Sequence, residues 1–115
     1  MDLIDKYVFY IYNSNIYIIY LKDDYKMEEQ FISNFYGTDI YMSIEKDKNP
    51  YIIARHIYNS KKEESLFDIK TGKIIKGDFS DKERYDDVDE WLNENRRELL
   101  NMWFSNKIYE IGGIL

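Results

Sequence analysis

The chain's single histidine, His56, follows Arg55 in KDKNPYIIARHIYNS, residues 46–60, shortly after the only proline, Pro50. A histidine beside an arginine suits anion contact or proton transfer near neutral pH. Strand alternation, however, sets His56 opposite Arg55 and on the face of Ile52, Ala54 and Tyr58. No second histidine and no cysteine exists to share a metal or complete a nucleophilic relay. A structural or simply exposed imidazole is the expectation. Asp86, Asp87, Asp89 and Glu90 form a second concentration of chemistry, with Asp86 and Glu90 on one helical face. Hard-oxygen metal sites usually draw on several elements, and acids early in a helix are already accounted for by its dipole. Gly112 and Gly113 lie in the tail, where they make no phosphate loop. The residues therefore predict no catalytic site, no bound metal, no cofactor and no enzyme activity.

Charge and composition narrow the partners. The net charge is -6 and the pI about 4.8, which argues against duplex DNA or an anionic membrane, since phosphate binding needs clustered Lys and Arg. An acidic surface serves solubility, meets a basic partner or imitates nucleic acid. The absence of cysteine removes disulfides and thiolate ligands and fits a reducing compartment. MDLIDK lacks the basic opening of a secretory signal, and YVFYIY and IYIIYL fall far short of the roughly 20 residues of a membrane span. The expectation is a soluble cytoplasmic protein.

The elements that would position these groups read as one α+β domain over residues 1–115, with an N-terminal extension at 1–34 and a core at 35–115. KYVFYIYNSNIYIIYLKD predicts a hairpin turning at Asn13, Ser14 and Asn15. Both of its faces are apolar, so it is either covered on two sides or offers one face to another chain. Tyrosine suits the second use, because its ring buries while its hydroxyl stays wet. In DDYKMEEQFISNFYG, Asp23 or Asp24 caps an expected short helix with Met27, Phe31 and Phe35 one turn apart.

From Thr38 the period becomes 2, with Ile40, Met42 and Ile44 on one face. Strands then follow at residues 51–58, in SLFDIK after a polar NSKKEE turn, and in KIIKG: an antiparallel meander. SDKERYDDVDEWLNENRRELLNMWF predicts one long helix, with Ser80 and Glu83 as a capping box and Val88, Leu92, Leu99 and Trp103 as its apolar stripe. NKIYEIGGIL reads as an edge strand and tail. The fold expected is an antiparallel sheet, hairpin plus meander, packed against one long C-terminal helix.

The series FYGTDIYMSIEKDKNPYIIAR, FDIKTGKIIKGDFS, EWLNENRRELLNMW and KIYEIGGIL, from residue 35 to 115, resembles the domain of unknown function 4160 family. Members carry FYG, a strand, a turn with NPPH, a second strand, a DI..G.I..G segment and a helix with EW...HREELL..W. The family's alternating histidines correspond here to Ile52 and Ala54, its second proline to Tyr51, and the histidine before REELL to Asn95. His56 is offset from those positions. The resemblance implies a retained scaffold in Trp91, Arg96, Glu98, Leu99, Leu100 and Trp103, without the family's histidine chemistry.

It also implies a setting of small two-gene modules on mobile elements. The leading expectation is a non-catalytic protein-interaction module of a mobile-element, defence or toxin–antitoxin system, binding a protein partner or its own copy as a homodimer. Its binding residues would be Tyr10, Tyr12, Tyr17 and Ile19 in the hairpin and Asp86, Asp87 and Glu90 on the helix. One alternative is a phage-type acidic inhibitor of a host immune nuclease, anti-CRISPR-like, with its helix in a basic channel. A small nuclease or toxin enzyme is another.

Overall fold

Three two-residue turns direct the strands. Asn13 with Ser14, Tyr36 with Gly37, and Asn59 with Ser60 all have positive φ, from 49° to 78°. Two such residues in succession make the type I′ geometry whose twist matches that of paired strands. The computed structural model describes residues 7–20 and 27–113, the first stretch mainly by its backbone. β1 (Tyr7–Tyr12) and β2 (Asn15–Tyr20) form a two-stranded antiparallel sheet. A separate five-stranded antiparallel meander runs β3 (Gln30–Phe35), β4 (Thr38–Met42), β5 (Tyr51–Tyr58), β6 (Lys61–Asp68) and β7 (Ile74–Gly77), followed by helix α1 (Lys82–Ser105).

The expected short helix before the sheet is replaced by β3, and its proposed caps Asp23 and Asp24 lie outside the described residues. Two hydrogen bonds hold Met27 beside β4's continuation: its N–H donates to Ile44 O at 2.8 Å and its carbonyl accepts from Ser43 Oγ at 2.5 Å. A register shift between Phe31 and Ser33 then buries Ile32, Ser33 and Phe35 while leaving Phe31 39% exposed. The NSKKEE turn is also shorter than expected. Asn59 and Ser60 complete it, and Lys61 to Glu64 already pair with β5.

One face of the meander carries the core. Ile40 lies opposite Ala54, and Ile52 opposite Phe67, all of them fully buried. Helix α1 covers them with Val88, Trp91, Leu92, Leu99 and Met102. Aromatic contacts tie strand to helix along its length: Phe67 to Tyr85 at 5.7 Å, Phe35 to Trp91 at 5.4 Å and Tyr51 to Trp103 at 5.2 Å between centroids. Arg96 adds a polar tie, its Nε donating to Ile69 O at 2.7 Å. These contacts give Trp91, Arg96, Leu99 and Trp103 the scaffold role that the family resemblance implied.

The helix begins one residue later than the capping-box reading placed it. Asp81 is the N-cap, its Oδ1 accepting from Arg84 N at 3.2 Å, because Ser80 is engaged by Glu63 of β6. Asn106 ends the helix in the left-handed region, with φ 59°. Residues 107–113 form no strand, in contrast to the edge strand expected. They touch β3 through a backbone bond, Ile111 N donating to Ile32 O at 2.8 Å, and their Gly112 carbonyl accepts from the Trp91 indole at 2.9 Å. A Cβ on Gly113 would stand 2.7 Å from Asn34 O, so the glycine is what lets the tail approach β3.

Ser60 holds φ 65° without the freedom of glycine. Ser60→Gly should therefore raise stability by about 0.5–1 kcal/mol, by removing the left-handed penalty of an L residue. The check is the urea midpoint at unchanged slope. A lower midpoint would show that the turn stores no such strain.

Candidate functional site

The β5–β6 hairpin outruns β4. Pairing between β4 and β5 stops at Asp39 and Arg55, whereas β5 and β6 stay paired out to Tyr58 and Lys61. Beside this overhang, next to the start of α1, lies an open groove of about 640 Å³ lined by Tyr36, Arg55, His56, Ile57, Glu63 and Arg84 among others. Ile57 is 67% exposed and Tyr36 50%. Arg84 lies 5.5 Å over the Tyr36 ring and donates to Asp87 at 3.0 Å. Exposed aliphatic, Tyr and Arg groups are the usual content of a protein contact surface.

His56 sits at the inner wall of that groove, only 6% exposed. Its ring lies against Phe79 at 4.0 Å between centroids. Nε2 stands 2.9 Å from Glu63 Oε1. Glu63 also accepts from Ser80, on the same Oε1 from the amide N–H at 2.9 Å and on Oε2 from the hydroxyl at 2.5 Å. The three residues form a strut from β5 through β6 to the residue preceding the helix cap. Ser80's hydroxyl and amide hold the Glu63 carboxyl below its ordinary range, with burial opposing them and His56 adding to them. His56 is thus buried rather than exposed.

On the opposite face, Arg55 gathers the sheet's ion pairs. Its two terminal nitrogens reach both Glu29 oxygens at 2.8 Å, its Nε reaches Glu64 at 2.6 Å, and its guanidinium lies 4.8 Å over Tyr41. The bidentate bond to Glu29 is the main reason that its pKa rises further, with burial opposing. This network couples the segment before β3 to the middle of the sheet.

The predicted binding residues fall into two groups. Tyr10 stands opposite Tyr17 and Val8 opposite Ile19, so the register puts Tyr10, Tyr12, Tyr17 and Ile19 at positions on one face of the β1–β2 ribbon. Two of the helix acids are locally engaged, Asp86 accepting from Lys82 at 2.8 Å and Asp87 from Arg84 at 3.0 Å, while Glu90 is exposed. No group of three or more His, Asp or Glu side chains among the described residues is arranged to hold a metal. The groove and its Tyr36, Ile57 and Arg84 were not anticipated, because they come from three elements distant in sequence. The Tyr-Gly pair at residues 36 and 37 was the one local signal for the turn that opens it.

Residues 37–104 match the family described as domain of unknown function (DUF4160). The chain belongs to this family. No curated protein and no solved structure matches it. The matched stretch covers β4 through nearly all of α1, while the hairpin, β3 and the tail lie outside it. Ile52 and Ala54 are fully buried core residues. Asn95 donates to Trp91 O at 2.8 Å within its own helix. Tyr51 packs on Trp103 and donates to Glu45; burial foremost, then that bond, raises its pKa. Among the described residues no helix is long and apolar enough to cross a membrane.

Glu63→Gln should cost about 1 kcal/mol at neutral pH, through the weakened Ser80 bonds. Because Glu63 is more acidic folded than unfolded, its stabilisation is complete above about pH 4.5 and fades as pH falls through the lower folded value. Denaturant titrations should accordingly show wild type and variant converging in acid. A difference that persists there would mean that the strut does not work through the carboxylate.

Proposed function

We propose that this chain is a non-catalytic protein-interaction module of a mobile-element, defence or toxin–antitoxin system, with the N-terminal hairpin as its binding element. One observation carries the reading: β1 and β2 pair with each other and form a sheet apart from the five-stranded one. Their sequences, YVFYIY and NIYIIY, contain no charged residue. An apolar two-stranded ribbon is marginal in water and gains from a covering surface. It also lies outside the family match, as an addition to the shared scaffold. The enclosure of His56 by Phe79 and Glu63 supports a structural use of that residue. The mobile-element setting rests on the family resemblance. The acidic-inhibitor alternative has less support, since Asp86 and Asp87 already hold cations of their own helix.

The test is affinity capture from the source cell's lysate, using full-length chain and identifying bound protein by mass spectrometry. Tyr10→Asp combined with Tyr17→Asp should lose the specific partner by more than about tenfold, a cost of 1.4 kcal/mol or more. Neutralising Asp86, Asp87 and Glu90 should leave capture intact. Loss through the helix variant alone, or a partner set unchanged by the hairpin variant, would overturn the assignment of the hairpin.

A further inference from the structure

The backbone of the hairpin defines which of its groups are free. The turn hydrogen bond across Asn13 and Ser14 makes Tyr12 and Asn15 a hydrogen-bonded pair. Alternation along the antiparallel ladder then makes Tyr10 with Tyr17, and Val8 with Ile19, the other inward-bonded pairs. The N–H and C=O groups of Tyr7, Phe9 and Ile11 are directed out of one edge, and those of Ile16, Ile18 and Tyr20 out of the other. Neither edge meets another strand among the described residues.

The two outer strands of the main sheet are treated differently. β3 is interrupted by a register shift and receives the Ile111 N–H on Ile32 O. β7 has four residues, a register shift beside it, and Lys76. Shortness, bulges, lysine and covering segments are how sheets avoid pairing with another molecule. Among the described residues β1 and β2 show none of these: they make six consecutive pairs without a shift, and contain neither charge nor proline. Such an edge is complementary to itself, because a two-fold axis sets each outward donor against an outward acceptor of the same strand in a second copy, with no like charges to repel it.

We infer that two copies of this chain pair through the same free edge of the hairpin, making a four-stranded antiparallel sheet across a two-fold axis. The inference rests on the hairpin being the binding element and names a second copy of the chain as its partner. The strands added by the second copy supply what an isolated two-stranded ribbon lacks.

Light scattering on the full chain tests this with Phe9→Pro and Ile18→Pro, each of which deletes an outward N–H while sparing the inward bonds. Wild type should have twice the monomer mass of 14.1 kDa. One proline should weaken the dimer by at least about tenfold, and the other should not. Hydrogen exchange on wild type provides a readout that needs no variant: outward amides of one strand should be protected. A wild-type monomer, a dimer weakened equally by both prolines or by neither, or freely exchanging outward amides on both strands would overturn the inference. A monomer that still captures another protein through Tyr10 and Tyr17 would sink self-pairing and leave the proposed function standing.

Discussion

The buried Trp91 indole is the constraint around which the described core closes. Its ring stacks on Phe35 of the first strand of the meander, while its N–H must find an acceptor away from water. The Gly112 carbonyl provides one, so a single side chain joins the beginning of the sheet, the middle of the helix and the segment after it. Without that acceptor a buried donor would be unpaired, and without Phe35 the ring would lose its stacking partner. The placement of β3, the approach of the tail and the seating of α1 are thus parts of one packing solution.

β4 and the helix were legible because their periods are unmixed. β4 alternates buried and partly exposed residues without interruption, and α1 repeats its apolar positions over many turns. β3 was not legible. Met27, Phe31 and Phe35 have helical spacing, but the bulge after Phe31 breaks the alternation that would have marked a strand. The helix start was ambiguous for a related reason. Ser80 and Asp81 are both competent caps, and the choice was made by Glu63, a residue of another element. His56 was placed on the correct face by alternation, whereas the Phe79 and Glu63 that enclose it depend on how the chain returns to β6 and α1.

The boundary of the family match separates two kinds of structure. Within it lie the central strands and the helix, with fully buried core residues such as Ile52 and Ala54. Outside the match lie β3 and the hairpin. Arg55, inside it, bonds Glu29, outside it, so the added segment is tied to the shared sheet by charge as well as by strand pairing.

The bond from Ile111 N to Ile32 O has a consequence for the order of assembly. Neighbouring strands of the meander are close in sequence and need only short loops to meet, so their pairing is kinetically accessible early. The contacts that finish β3 join segments near opposite ends of the described core, and closing so long a loop costs more chain entropy. During synthesis, β3 would emerge early and wait with one edge incompletely covered until residues around 111 had been made. The strand that starts the sheet would be the last to complete its packing.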